Sequence, residues 1–75
     1  MRQHIAPEAA LLVARFPAVT ACRLQIEPSP PGYEAHIEIL LAQHQIILNT
    51  SDRNPEAAKR KALALAEERL AALAA

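Results

Sequence analysis

Val19-Thr20-Ala21-Cys22-Arg23-Leu24-Gln25-Ile26-Glu27-Pro28 is the stretch that decides how this chain folds. Cys22, Leu24 and Ile26 alternate with Arg23, Gln25 and Glu27, which is the period of a strand with one buried and one wet face. The alternation predicts a first strand over about Thr20 to Glu27. Ser29-Pro30-Pro31-Gly32 interrupts it and makes a turn. A second strand is expected from about Tyr33 to Leu41, with Ala35, Ile37, Ile39 and Leu41 inward and Glu34, His36 and Glu38 outward. After the short Ala42-Gln43-His44 connection comes a third, Gln45-Ile46-Ile47-Leu48-Asn49. Its three adjacent apolar residues leave two facings open, and the one taken here has Ile46 and Leu48 inward and Ile47 on the open face. Short links between consecutive strands predict an antiparallel meander.

Helices flank these strands. Upstream, Pro7 suits a first helical position, Glu8 favours the positive end of the helix dipole, and Pro17 ends the run. Ala9, Leu12, Val13 and Phe16 form one apolar stripe. Met1 to Ala6 are too few for a well-paired strand unless something ties them down. Downstream, the loop from Thr50 leads to Asn54 as N-cap, Pro55 at the first helical position, and Glu56 spaced to pair with Arg60. The Ala- and Leu-rich run to Ala74 contains no helix breaker. It predicts a helix about 30 Å long whose sheet-facing side carries Leu63, Ala66, Leu70 and Leu73, with Ala62 beside them.

The expected fold is therefore α+β: a single α-β-β-β-α domain over residues 1–75. It is a two-layer sandwich of a three-stranded antiparallel sheet with two helices on one face, an order that resembles that of double-stranded-RNA-binding domains. The outer sheet face, with Arg23, Gln25, Glu27, His36 and Glu38, is expected to be solvated. A chain of 75 residues buries only about 60% of its unfolded surface, and its single cysteine offers no disulfide. Cys22 reads as a small buried hydrophobe on a strand. A lone cysteine, no secretory leader and no bilayer-length apolar run lead to the expectation of a soluble, cytoplasmic protein.

Little in the chain suggests catalysis. His4, His36, His44 and Cys22 match no zinc spacing, Glu34 and Glu38 are about 13 Å apart along an open strand, and Gly32 is the only glycine, so no phosphate loop exists. The expectation is a non-enzymatic protein without cofactor or metal. Eight basic residues balance eight acidic ones, and one Tyr and one Phe leave no aromatic platforms for single strands. The one concentration of positive charge is Lys59-Arg60-Lys61, fanned over about 200° of the second helix, with Arg53 just before it. It is either a solvated helix face or a set of phosphate contacts. Glu67 and Glu68 make the far half of that helix acidic.

Phe16-Pro17-Ala18-Val19-Thr20-Ala21-Cys22-Arg23-Leu24-Gln25-Ile26-Glu27-Pro28 resembles a segment of the hibernation-promoting factor family, the ribosome-associated inhibitors also called sigma-54 modulation proteins. There a helix ending in an aromatic is followed by a strand of the type I-T-x-C-R-V-x-[IV]-E-x-P. Tyr33 to Ile39 and Gln45 to Asn49 resemble that family's next two strands, and the likeness spans about residues 8 to 73. The resemblance implies a factor that binds the small ribosomal subunit in its tRNA and mRNA channel through basic residues and modulates translation. By position it carries over Arg23 and Arg60. The chain departs from the family at its start, where members have an additional strand. It departs again where Glu56 and Lys59 replace an aromatic and an aliphatic, and where Glu67-Glu68 stand for a basic pair. Ala58-Lys59-Arg60-Lys61-Ala62 resembles, one turn further in, the K-K-x-A-K start of the last helix in double-stranded-RNA-binding domains, which implies structured RNA as the alternative partner. The nucleic-acid-binding candidates are thus Arg23, Arg53, Lys59, Arg60 and Lys61. A third reading is a small homodimeric interaction module using Leu40 and Ile47 or an exposed sheet edge, with no membrane partner.

Overall fold

In a computed structural model, which describes residues 7–74, the elements follow the order α1 (Pro7–Arg15), β1 (Val19–Ser29), β2 (Gly32–Leu41), β3 (Gln45–Asp52) and α2 (Pro55–Ala74). The strands form one antiparallel sheet in the order β1-β2-β3. Both links are tight hairpins, so neighbours in sequence become neighbours in space. The expected α+β arrangement is what the chain adopts. The expectation for Met1 to Ala6, and His4 with it, lies outside the described residues.

Alternation divides the sheet into two faces. On the inner one, Leu24, Ile37 and Leu48 stand in a row across the three strands, as do Cys22, Ile39 and Ile46. Ile37 and Ile39, on the central strand, are fully buried. Both helices cover this face. α1 lies along β1 and α2 lies over β2 and β3, and the two helices touch each other. Ala9 and Leu12 of α1 join Ala58, Ala62, Ala66 and Leu70 of α2 in one buried cluster with the inner strand residues. Alanines every four residues along α2 let its backbone approach the sheet closely, and Thr50 Oγ1 donates to the Ala58 carbonyl at 2.7 Å.

Three expectations need correction. β1 and β3 extend beyond the apolar runs that predicted them, to Ser29 and Asp52, because ladder pairing continues through Pro28↔Tyr33 and Tyr33↔Asp52. Pro28 is tolerated because β1 is an edge strand. Leu73 is 58% exposed rather than on the buried face. It stands on the flank of α2 beside His44, Gln45 and Ile46, where β3 is the open edge of the sheet and no further described element covers it. Finally, Glu56 pairs with Lys59, at 3.3 Å one turn on, and not with Arg60.

The outer face holds Arg23, Gln25, Glu27, Glu34, His36, Glu38, Leu40, Ile47 and Asn49. Ile47 is 60% exposed, as its outward placement required. No described helix is long and apolar enough to cross a membrane.

Candidate nucleic-acid interface

β3 runs into α2 through Arg53 and Asn54, and this junction is tightly organised. Asn54 caps the helix as its residue type predicts: its Oδ1 accepts the Glu56 N–H at 2.8 Å, with the Ala57 N–H at 3.4 Å. Asp52 Oδ1 in turn accepts the Asn54 N–H at 3.1 Å. Arg53 therefore projects from a loop held on both sides by side-chain-to-backbone bonds. The β1–β2 turn backs it, since Gly32 lies against the Asp52 carbonyl and the Arg53 Cα. Ser29 to Glu34 and Ser51 to Arg53 together line a shallow hollow of about 380 Å³ beside the loop.

The four basic residues here differ in what holds them. Lys61 Nζ lies 2.8 Å from Asp52 Oδ2 and donates to the Ser51 carbonyl at 3.1 Å. Lys59, whose side chain is only 19% exposed, pairs with Glu56. Arg53 and Arg60 are exposed, and among the described residues neither has an ion-pair partner. Arg23 does not join them. It stands on the outer sheet face opposite Glu38, with α2 on the inner one. The five candidates therefore separate into four carried by the β3–α2 loop and the first two turns of α2, and one isolated arginine on a face that also carries Glu27, Glu34 and Glu38.

Lys61, by donating a hydrogen bond to Asp52, holds that carboxyl below its ordinary range. The Asn54 N–H adds to the effect, burial opposes it, and the Lys61 charge and the Arg53 N–H contribute less in the lowering direction. A depressed carboxylate pKa means the contribution to stability is present above the unfolded value, near 3.9, and is lost as pH falls through the lower folded value. The chain should accordingly lose stability from about pH 4 downward, and Asp52→Asn should remove part of that loss. Urea midpoints at neutral pH and in acid, for both proteins, check this. Identical acid sensitivity would mean that the Asp52–Lys61 pair does not hold the junction.

A second polar cluster lies on the outer face, where the two-residue turn Pro30-Pro31 sets the register. It brings Glu27 directly opposite Glu34, an arrangement of like charges that destabilises a strand pair. His36 lies between the two carboxylates: Nε2 is 3.0 Å from Glu34 Oε1 and 3.6 Å from Glu27 Oε2, while Nδ1 hydrogen-bonds the Asn49 side chain. The cross-strand grouping of Glu27, Glu34 and His36 follows from the register that the turn sets, not from spacing along one strand. Among the described residues, no three His, Cys, Asp or Glu side chains are placed to hold a metal ion. Cys22, half-buried on the inner face, has its thiol pushed up by burial, which keeps it protonated and unreactive.

Arg15, at the end of α1, pairs with Glu67 of α2 at 3.2 Å and stacks over Phe16, so it ties the helices together. Glu68 and Arg69, further along α2, are exposed. Comparison of the chain with protein families, with curated proteins and with solved structures gives no match.

Proposed function

We propose that this chain is a ribosome-associated module of the hibernation-factor type, which contacts RNA of the small subunit through Arg53 and Arg60, flanked by Lys59 and Lys61, and so modulates translation. The observation that carries this reading is two exposed arginines, without ion-pair partners among the described residues, at a rigid strand-to-helix junction. Arginine presents a planar fork of donors suited to phosphate oxygens, and a pre-ordered loop loses little freedom on binding. The two lysines, engaged with Asp52 and Glu56, add positive field and position the junction. The likeness of the Cys22-Arg23 strand to the hibernation-promoting family supplies the ribosome as partner.

Zero net charge shapes how such binding behaves. Attraction comes from one end of the molecule, while the outer sheet face and the far half of α2 repel phosphate. Binding should therefore be oriented, of moderate strength and strongly weakened by salt. Reversing both arginines (Arg53→Glu with Arg60→Glu) should lower affinity for small subunits by at least about tenfold at low salt. It should leave the urea midpoint nearly unchanged, since both side chains are exposed. Arg23→Glu, on the other face, should change binding far less. Co-sedimentation with small subunits measures both, and equal binding by the double variant would remove the junction from the account. Duplex RNA, suggested by the α-β-β-β-α order and the basic start of α2, is the second reading; the same titration with naked duplex RNA distinguishes it.

A further inference from the structure

The two edges of the sheet are unlike. β1 carries the features that keep an edge from pairing: the charges of Arg23 and Glu27, Pro28 within the strand, and a register shift between Val19 and Ala21. β3 has none of them before its last residue, Asp52. From Gln45 to Ser51 it is uncharged, free of proline and glycine, regular in register, and rich in β-branched residues.

Its hydrogen-bonding phase is fixed by the hairpin. The Leu41 N–H donates to the His44 carbonyl at 2.8 Å, so His44, Ile46, Leu48 and Thr50 turn their backbone groups toward β2. Gln45, Ile47, Asn49 and Ser51 turn theirs to the open edge. Lys61 already occupies the Ser51 carbonyl. Three consecutive outward residues centred on Ile47 remain.

We infer that β3 pairs antiparallel with β3 of a second copy of this chain, Ile47 opposite its own counterpart and Gln45 opposite Asn49, giving a continuous six-stranded sheet in a twofold dimer. This register uses all three outward residues and leaves the Lys61 bond intact. The self-match extends to the helices. α2 lies over both β2 and β3. With strands spaced about 4.8 Å apart, two such helices across the seam would sit about 10 Å apart, a helix-packing distance.

Along the flank of α2 beside β3, Lys61 stands at the level of Ser51, and Arg69, Ala72 and Leu73 stand by His44 to Ile46. The twofold axis through Ile47 thus passes near Glu68 and Arg69. In an antiparallel pair each of these exposed charges meets the opposite one on the other copy. Leu65, 37% exposed, and Leu73, 58% exposed, come to the same seam from the two sides. The exposed Ile47 side chains meet on the outer face, each with Leu40 diagonal to it on its own β2. Charge complementarity, an unprotected strand and exposed leucines all select a second copy as the occupant. The inference is independent of RNA binding.

Sedimentation equilibrium of the full chain from micromolar to millimolar concentration tests it. The expected result is a monomer–dimer equilibrium with no larger species. Ile47→Lys places like charges opposite each other at the axis and should weaken the dimer by at least about tenfold, with the urea midpoint of the dilute monomer unchanged. Glu68→Arg should also weaken it, and combining Glu68→Arg with Arg69→Glu should restore it, because the swapped pair again meets opposite charges. A monomer throughout the concentration range would overturn the inference, as would a dimer insensitive to both Ile47→Lys and Glu68→Arg.

Discussion

Ile37→Ala is expected to lower the stability of this chain by about 2–5 kcal/mol, the range for removing a fully buried aliphatic side chain and leaving a cavity. Ile37 sits at the middle of the central strand with Leu24 and Leu48 on either side, and it is completely excluded from solvent. A domain of 75 residues has roughly 4–11 kcal/mol in total, so the loss consumes much of it. The neighbours cannot collapse freely, because Ala58, Ala62 and Ala66 hold the α2 backbone against the sheet with no long side chain to swing into the gap. Urea denaturation followed by circular dichroism should show a markedly lower midpoint. Ile37→Val, which removes one methylene, should cost only about 0.5–1.5 kcal/mol. Equal midpoints for the two variants would mean that the inner face is not packed as described.

Gly32→Ala is expected to destabilise by roughly 1–3 kcal/mol, against the usual gain from replacing a glycine. Where an alanine fits, it stabilises by restricting the unfolded chain, and Gly32 has no left-handed backbone conformation that would forbid one. The obstacle is space. A Cβ at this position would stand 2.4 Å from the Asp52 carbonyl oxygen and 2.8 Å from the Arg53 Cα, both backbone atoms with no side-chain freedom to yield. Relief requires the β1–β2 turn to move away from the loop that leads into α2. The variant should therefore show a lowered urea midpoint together with weaker binding to small subunits, because the same displacement moves Arg53. A midpoint at or above that of the parent would show that the turn and the junction do not bear on each other.

Much of this fold is legible in the residues themselves, and the limits have physical causes. Alternation exposed the first two strands and a short apolar run the third, and Pro7, Pro17, Asn54 and Pro55 marked helix ends because each acts through its own backbone or cap. Strand ends were less visible: Pro28 and Asp52 are paired by the neighbouring strand, not by any apolar rhythm of their own. Leu73 continued the helical stripe correctly, yet it stands exposed beside the open edge at His44 to Ile46. Ala58 escaped notice because an alanine signals little about burial, although here it is fully buried and receives a bond from Thr50.

The basic cluster shows the same division. Its four members were visible as a run of charge, but not which of them were engaged. Asp52 reaches Lys61 only because the loop folds β3 back onto α2. Glu56 chose Lys59 over Arg60 by a difference of one residue in helical phase. Arg23, equal to the others as a charge, was separated from them by sheet formation, since strand parity put it on the face that α2 does not cover.

The most direct test of the account is the salt dependence of binding between the purified chain and small ribosomal subunits, read as the slope of log K against log salt. Two to four phosphate contacts from the Arg53–Lys61 junction predict a negative slope of roughly 1.4–3.6, falling by about 0.7–0.9 for each arginine reversed. Absence of binding at low salt, or binding whose slope is unchanged when Arg53 and Arg60 are both reversed, would contradict it.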